Sequence, residues 1–275
     1  ATGIVELKEA ICDKLKRDNG LFYEPSQIVV GCGAKQPIFD AAVALINEGD
    51  EAIIPAPFWV SYADQVRLMG GVPVIVQTTA ETGFRITPEQ LKDALSPRTK
   101  FILFNSPCNP TGEVYTRSEL QALAEIIADA GIYIVSDEIY EKILYDGAEH
   151  VSIAALNPAV KEKALVVNGV SKAYAMTGFR VGFTRAVPEY VELASKLQEP
   201  LVSCGVAFAQ MAAVDALDGP QDSVGEMRDA YQERRDAALS ILRDNGLYDY
   251  TPGGAFYLLV DISSSGLGSR DFAIR

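Results

Sequence analysis

Histidine is nearly missing from this chain: His150 is the only one in 275 residues. A zinc site built on several imidazoles is thereby excluded, and a Ser-His-Asp triad would have to rest on that single side chain. No metal is expected. Cysteine is sparse as well, and Cys12, Cys32, Cys108 and Cys204 lie far apart with no CxxC pair. Such spacing points to reduced thiols in a cytoplasmic protein and away from a disulfide frame. Positive charge is in deficit, with 24 Lys and Arg against 37 Asp and Glu, a net charge of −13. General attraction to nucleic acid or to an anionic membrane is therefore not expected. No apolar run approaches the ~20 residues of a membrane span. No signal-peptide pattern opens the sequence, and it holds no internal repeat or low-complexity segment. With 48% apolar and 22% charged residues, the chain reads as an ordinary soluble globular protein. Its length suffices for one large α/β domain, or one domain and part of another.

What is present is alternation. Apolar spacing predicts a helix over Ile4–Arg17, then a strand at Ile28–Val30, a Gly31-Cys32-Gly33-Ala34-Lys35 turn and a helix over Pro37–Ile46. Strands follow at Glu51–Ile54, Val72–Val76, Lys100–Phe104, Ile132–Val135, Ala164–Val167 and Val181–Thr184, with helices predicted at Pro88–Leu95 and Leu120–Ala130 between them. Further helices are read at Glu189–Leu197, Val206–Leu217 and Val224–Asn245, then a strand at Ala255–Asp261 and a helical start at Arg270–Arg275. Strands alternating with helices imply an α/β fold, a mostly parallel sheet flanked by helices. Residues 1–223 are expected to form the large domain, and 224–275 a linking helix with the start of a small, incomplete one.

In such sheets ligands bind beyond the carboxyl ends of the strands, and the unusual residues gather there. Gly33 and Ala34 form a strand–turn–helix junction of the kind that aims backbone N–H groups at an anion. Trp59, the only tryptophan, follows Pro55-Ala56-Pro57-Phe58; it is either a core residue or a stacking platform. Asn109 lies in the rigid loop Asn105-Ser106-Pro107-Cys108-Asn109-Pro110-Thr111-Gly112, which can join neither helix nor sheet. Asp137 stands just past an apolar strand with Tyr140 after it, either a helix N-cap or a carboxylate at the mouth of the sheet. Lys172 sits in VVNGVSKAYAMTGFRVGFTR, among apolar neighbours and ahead of Arg180. A lysine there is either an exposed turn residue or an amine of lowered pKa, as covalent imine chemistry requires.

Three motifs in this order, NSPCNPTG, VSDEIY and SKAYAMTGFRVGF, closely resemble the class I aminotransferases, pyridoxal 5'-phosphate enzymes of fold type I. The resemblance runs through the whole chain. It implies that Lys172 forms the internal aldimine and shuttles a proton between the substrate Cα and the cofactor. Asp137 is implied to pair with the pyridinium nitrogen and keep the ring an electron sink. Asn109 and Tyr140 would hydrogen-bond the phenolic oxygen, and Trp59 would stack on the ring. Arg180, with the Gly33-Ala34 amides and Ser171, would hold the phosphate. GAKQ and PFWVSY are similar to the bacterial aspartate/prephenate aminotransferase subgroup, in which a lysine at the position of Lys35 meets the distal carboxylate of an acidic substrate. Lys35, Trp59 and Asn109 are thus the implied substrate contacts. A homodimer is expected.

Departures accompany the likeness. Many relatives have a phosphate-binding serine where this chain has Gly169, and the Gln198–Gln210 segment differs from that of the aspartate-specific subgroup. Family members also extend beyond both ends, and the missing C-terminal part carries the arginine for the substrate α-carboxylate. Neither Arg243 nor Arg270 lies in a matching motif. The expected activity is amino transfer between an amino acid of the aspartate or glutamate type and a 2-oxo acid. A fold type I lyase and a non-catalytic cofactor-binding fragment are the alternatives.

Overall fold

The computed structural model describes residues 2–248 and 250–274. Its strands are β1 (Ile28–Cys32), β2 (Glu51–Ala56), β3 (Val72–Gln77), β4 (Thr99–Asn105), β5 (Tyr133–Asp137), β6 (Ala164–Gly169) and β7 (Val181–Arg185). Helices α1 (Val5–Asn19), α2 (Lys35–Leu45), α3 (Ser61–Leu68), α4 (Pro88–Ala94) and α5 (Arg117–Ala130) fall among the first five strands or precede them. They are followed by α6 (Pro158–Lys163), α7 (Val170–Ala173), α8 (Pro188–Val202), α9 (Ala207–Asp218), α10 (Asp222–Asp244) and α11 (Ser269–Ile274). The strands form one sheet in the order β1-β7-β6-β5-β4-β2-β3. All neighbours run parallel except β7, which is antiparallel to both β1 and β6.

Both faces are covered because successive strand residues point opposite ways and both sets are apolar. Ile28, Val30, Ile102, Ile134 and Val166 pack under α1, α5 and α9 through Leu7, Ile11, Leu123, Ile127 and Ala213. Val29, Ile54, Leu103, Val135 and Val167 pack against Ile38 and Ala41 of α2, Val66 of α3, and Tyr190 and Ala194 of α8. Helix ends follow local chemistry. Thr116 and Glu119 close a capping box on α5, and Gly131 ends it in the left-handed region.

Two expectations need correction, and two points that the sequence left open are settled. Val181–Thr184 is a strand, but an antiparallel one, a direction its apolar run does not encode. Pro55–Tyr62 reads as a proline-stiffened turn, yet helix α3 begins inside it at Ser61 and buries Tyr62, Ala63 and Val66 on one face. Asp137 ends β5 and caps no helix. Ala255–Asp261 is not a strand: Ala255 adopts φ 57°, and the isolated bridge of Gly254 to Leu144 falls just before the segment. The predicted helical start at Arg270–Arg275 corresponds to α11, apart from Arg275, which lies outside the described residues. Among the described residues no helix is long and apolar enough to cross a membrane.

Candidate active site

The carboxyl ends of β1, β2, β4, β5 and β6 share one pole of the sheet, and the reversed β7 begins there. A cavity of ≈ 260 Å³ opens at that pole. Ala34, Lys35, Trp59, Asn109, Asp137, Tyr140, Ser171, Lys172 and Arg180 all line it. Segments from five strand ends thus converge on one volume.

Asp137 forms its floor and is buried. One carboxylate oxygen accepts the Tyr62 hydroxyl at 2.7 Å and the other the Ile139 N–H at 3.2 Å. Burial pushes its pKa up to about 6 against the pull of these donors and of Lys172. A cation beside it would return it to the charged form. The loop after β4 is pinned to the same strand end, because Asn105 Nδ2 donates to the Asp137 carbonyl at 2.8 Å and the Asn109 N–H donates to Asn105 Oδ1 at 2.7 Å. Tyr140 and Tyr257 share a hydroxyl–hydroxyl hydrogen bond of 2.8 Å. Burial raises the Tyr140 pKa well above the usual phenol value, so the hydroxyl stays protonated.

Lys172 is half-buried on the short α7, its ammonium 5.8 Å from the Tyr140 ring centre and 5.3 Å from that of Phe256. Desolvation, reinforced by the charge of Arg180, lowers its pKa. Such an amine gives up its proton more readily than a surface lysine does. Arg180 sits at φ 55° and donates to the Thr177 carbonyl at 3.1 Å and to the Cys32 carbonyl at 3.4 Å. Gly33 lies just behind the cavity wall at φ 67°, its N–H donating to the Arg180 carbonyl at 2.9 Å, and a Cβ there would strike the Arg180 guanidinium. Gly182 has a similar constraint, since a Cβ would collide with the Gly33-Ala34 backbone. The β1–α2 turn is thereby pressed onto β7, which brings the first turn of α2 and the Arg180 guanidinium to one side of the cavity.

The remaining wall is set by Lys35 and Trp59. The Lys35 ammonium stands 4.7 Å from the Trp59 ring centre. Trp59 meets Tyr62 edge to face, with ring centres 5.3 Å apart, so the indole is fixed through the same tyrosine that holds Asp137.

This arrangement has close counterparts. Residues 1–273 match the family model for aminotransferase class I and II. The chain belongs to that family. An aspartate aminotransferase of Bacillus sp. (strain YM-2) is 48% identical over 264 residues, 96% of this chain and 67% of the relative. The aspartate/prephenate aminotransferase of Cereibacter sphaeroides is 48% identical over 95% of this chain and 66% of its own. The aromatic aminotransferase of Pyrococcus horikoshii superposes with a TM-score of 0.96 at 40% identity, covering 99% of this chain and 73% of that one. The Thermus thermophilus aspartate aminotransferase solved with maleate gives 0.92 at 42% identity, covering 96% and 69%. The chain spans about two thirds of the length of these curated relatives.

Class I aminotransferases use pyridoxal 5'-phosphate, and the donor set of this class I and II aminotransferase fits that group. The cavity offers a carboxyl for a ring cation, an amine for an aldehyde carbon, a phenol for a ring oxygen, and a guanidinium beside a helix start for a phosphate. Ser171 lines it too. At Gly169 a Cβ would meet the Val181 carbonyl and the Gly182 Cα, so a serine there would require β6 and β7 to move apart. Arg243 and Arg270 do not line the cavity. Sequence reading missed Tyr62, Asn105, Thr177 and Tyr257. Tyr62 and Asn105 lay inside quoted motifs, whereas Tyr257 lay in a stretch taken for a strand.

Proposed function

We propose that this protein is a pyridoxal 5'-phosphate-dependent aminotransferase that moves an amino group between an acidic amino acid, aspartate or glutamate, and a 2-oxo acid. The convergence of Lys172, Asp137, Tyr140 and Arg180 on one cavity carries this reading. The bound cofactor supplies an electron sink for the negative charge that develops when the substrate Cα loses its proton. The chain's residues do the rest. Asp137, ionised, holds the cofactor's ring nitrogen protonated. Asn109 and Tyr140 donate to its ring oxygen, and Trp59 covers its face. Arg180, Ser171 and the Gly33-Ala34 turn neutralise its phosphate. Lys172, with its lowered pKa, is the amine that binds the cofactor and then takes the proton from the substrate Cα. Lys35 offers a cation to the distal carboxylate of an acidic substrate. The Thermus neighbour solved with maleate, a dicarboxylate, supports that choice.

Two wider assignments belong to this reading. Residues 1–223 make the large cofactor-binding domain, and 224–275 a linking helix and the start of a smaller one. The protein works in the cytoplasm as a homodimer, in keeping with its four unpaired cysteines and with an exposed apolar face beside Arg180.

The test is spectroscopic. The chain with pyridoxal 5'-phosphate should show a visible absorbance that borohydride abolishes, and Lys172→Ala should lack it. Aspartate or glutamate should then convert the absorbance to that of the pyridoxamine form. Release of 2-oxo acid without that conversion would mean a lyase. Absence of both responses would mean a binding protein.

A further inference from the structure

The segment Asp137–Ile143 has two faces. One presents Asp137 and Tyr140 to the cavity. The other buries Glu138 and Glu141, whose side chains are 2% and 5% exposed, and the Glu141 N–H closes the turn onto the Glu138 carbonyl at 3.0 Å. Neither glutamate reaches the cavity, yet a buried carboxylate is costly unless its oxygens are satisfied. Both are satisfied. Glu138 Oε1 accepts the Ser136 hydroxyl at 2.9 Å and the Ser152 hydroxyl at 2.8 Å, and its Oε2 faces His150 Nε2 at 3.1 Å. Glu141 is ion-paired with Lys14 of α1 and accepts Asn19 Nδ2 at 2.9 Å, while His150 Nε2 lies 3.9 Å from its Oε2. Burial alone would raise the Glu141 pKa, but Lys14 and His150 hold it at about 2.

The ligand atoms of Glu138, Glu141 and His150 lie within 4.8 Å of one another, a spacing that could suit a cation. The Lys14 ammonium already occupies that role at Glu141, so the cluster is a clamp. His150 is its centre, 7% exposed and, among the described residues, the only side chain that faces both glutamates.

We propose that His150 is a positioning residue for the active site: by bridging Glu138 to Glu141 it fixes the turn whose opposite face carries Asp137 and Tyr140. The idea rests on the cofactor roles given to those two residues above. A clamp behind the turn sets where the carboxyl and the phenol stand, and displacement by a fraction of an ångström weakens every contact they make.

Two variants separate positioning from mere stability. His150→Phe keeps a flat ring but removes Nε2, and His150→Gln keeps an N–H donor near that place. Amide hydrogen exchange on the chain without added ligand reads the turn itself. Quenching of Trp59, the only tryptophan, on addition of pyridoxal 5'-phosphate reads the consequence. In His150→Phe, exchange at 137–143 should rise about tenfold or more while β2 and α5 keep wild-type rates, and the Kd for the cofactor should weaken about tenfold. His150→Gln should recover most of both. Unchanged exchange at 137–143, exchange raised evenly through the chain, or an unchanged Kd would each overturn the proposal. Should His150→Phe fail to fold, Ser152→Ala removes one donor from Glu138 and should give the same local exchange with a smaller loss, about threefold in Kd; wild-type behaviour there overturns the proposal equally. A wild-type chain that does not bind the cofactor would sink the proposed function instead, and the exchange result would still decide the role of His150.

Discussion

In its proposed role Asp137 is asked for two things that oppose each other. It must be buried, so that water does not screen its pairing with a ring cation, and it must be charged at working pH. Burial has raised its pKa to about 6, and the Tyr62 hydroxyl at 2.7 Å is the largest influence pulling it back. Removing that donor in Tyr62→Phe costs the carboxylate one charge-assisted hydrogen bond, roughly 1.5–3 kcal/mol, or about one to two pKa units. Activity is lost as pH falls through the pKa of an essential carboxylate, so this acid limb should move up in pH. Rates of half-transamination measured across pH 5–9 would check this, and an unmoved limb would remove Tyr62 from the assignment. Lys35 tests specificity at the same scale. Lys35→Ala should lower kcat/KM for aspartate or glutamate about ten- to a hundredfold, the worth of one charge-assisted hydrogen bond. Aromatic donors should lose almost nothing, because they place no carboxylate there. Equal losses for both donor classes would give Lys35 to the cofactor or the fold. The residues of this site were readable because each combines an unusual side chain with a strand end. Tyr62 was not, since a tyrosine at an i, i+1, i+4 apolar spacing looks like any core aromatic.

Helix α2 joins site and scaffold. Its first turn borders the cavity, while its middle buries Asp40, 1% exposed, against the core shared with α8. Both Asp40 oxygens lack a hydrogen-bond partner among the described residues, as does the Tyr190 hydroxyl of α8. Burial raises the Asp40 pKa to about 7. In the folded protein Asp40 therefore keeps its proton where the unfolded chain, with the ordinary value of 3.8, has released it. Stability from this residue is complete below pH ~4 and falls as pH rises toward ~7, because the folded state binds the extra proton over that window. Asp40→Asn removes the titration. It should raise the melting temperature at pH 8, by an amount corresponding to ~2–4 kcal/mol at ~1.4 kcal/mol per unit, and change it little at pH 4. Thermal melts at the two pH values decide this, and an equal effect at both would refute the titration account. Helices such as α1, α5 and α10 were legible because their apolar residues recur with the helical period. The direction of β7 was not, since an apolar run is the same read either way. Ala255–Asp261 has a strand's composition but, among the described residues, no neighbouring strand to pair with, which only tertiary structure reveals.

For the molecule as a whole, the parallel sheet explains why one pole holds the chemistry: its strands deliver their carboxyl ends, and the reversed β7 returns Arg180 to the same place. Arg180 also borders a second groove of ≈ 500 Å³ lined by Phe179, Val202, Val206 and Phe208. Phe208 is 76% exposed and Phe179 43%. Large apolar side chains clustered beside an arginine proposed to hold a phosphate suit coverage by a second copy of the chain better than contact with water. In a two-fold dimer the same patch serves both partners, so one substitution is counted twice. Burying a phenylalanine side chain is worth about 1.5–3 kcal/mol, and Phe208→Glu should therefore weaken self-association by ~3–6 kcal/mol, at least a hundredfold in Kd. Light scattering over a concentration series should find the wild-type chain at twice its own mass where Phe208→Glu runs as a monomer. Because the groove shares Arg180 with the cofactor cavity, the monomeric variant should also release pyridoxal 5'-phosphate faster on dilution. A Phe208→Glu protein that remains dimeric would place the contact between copies on another face and free Arg180 from any dependence on it.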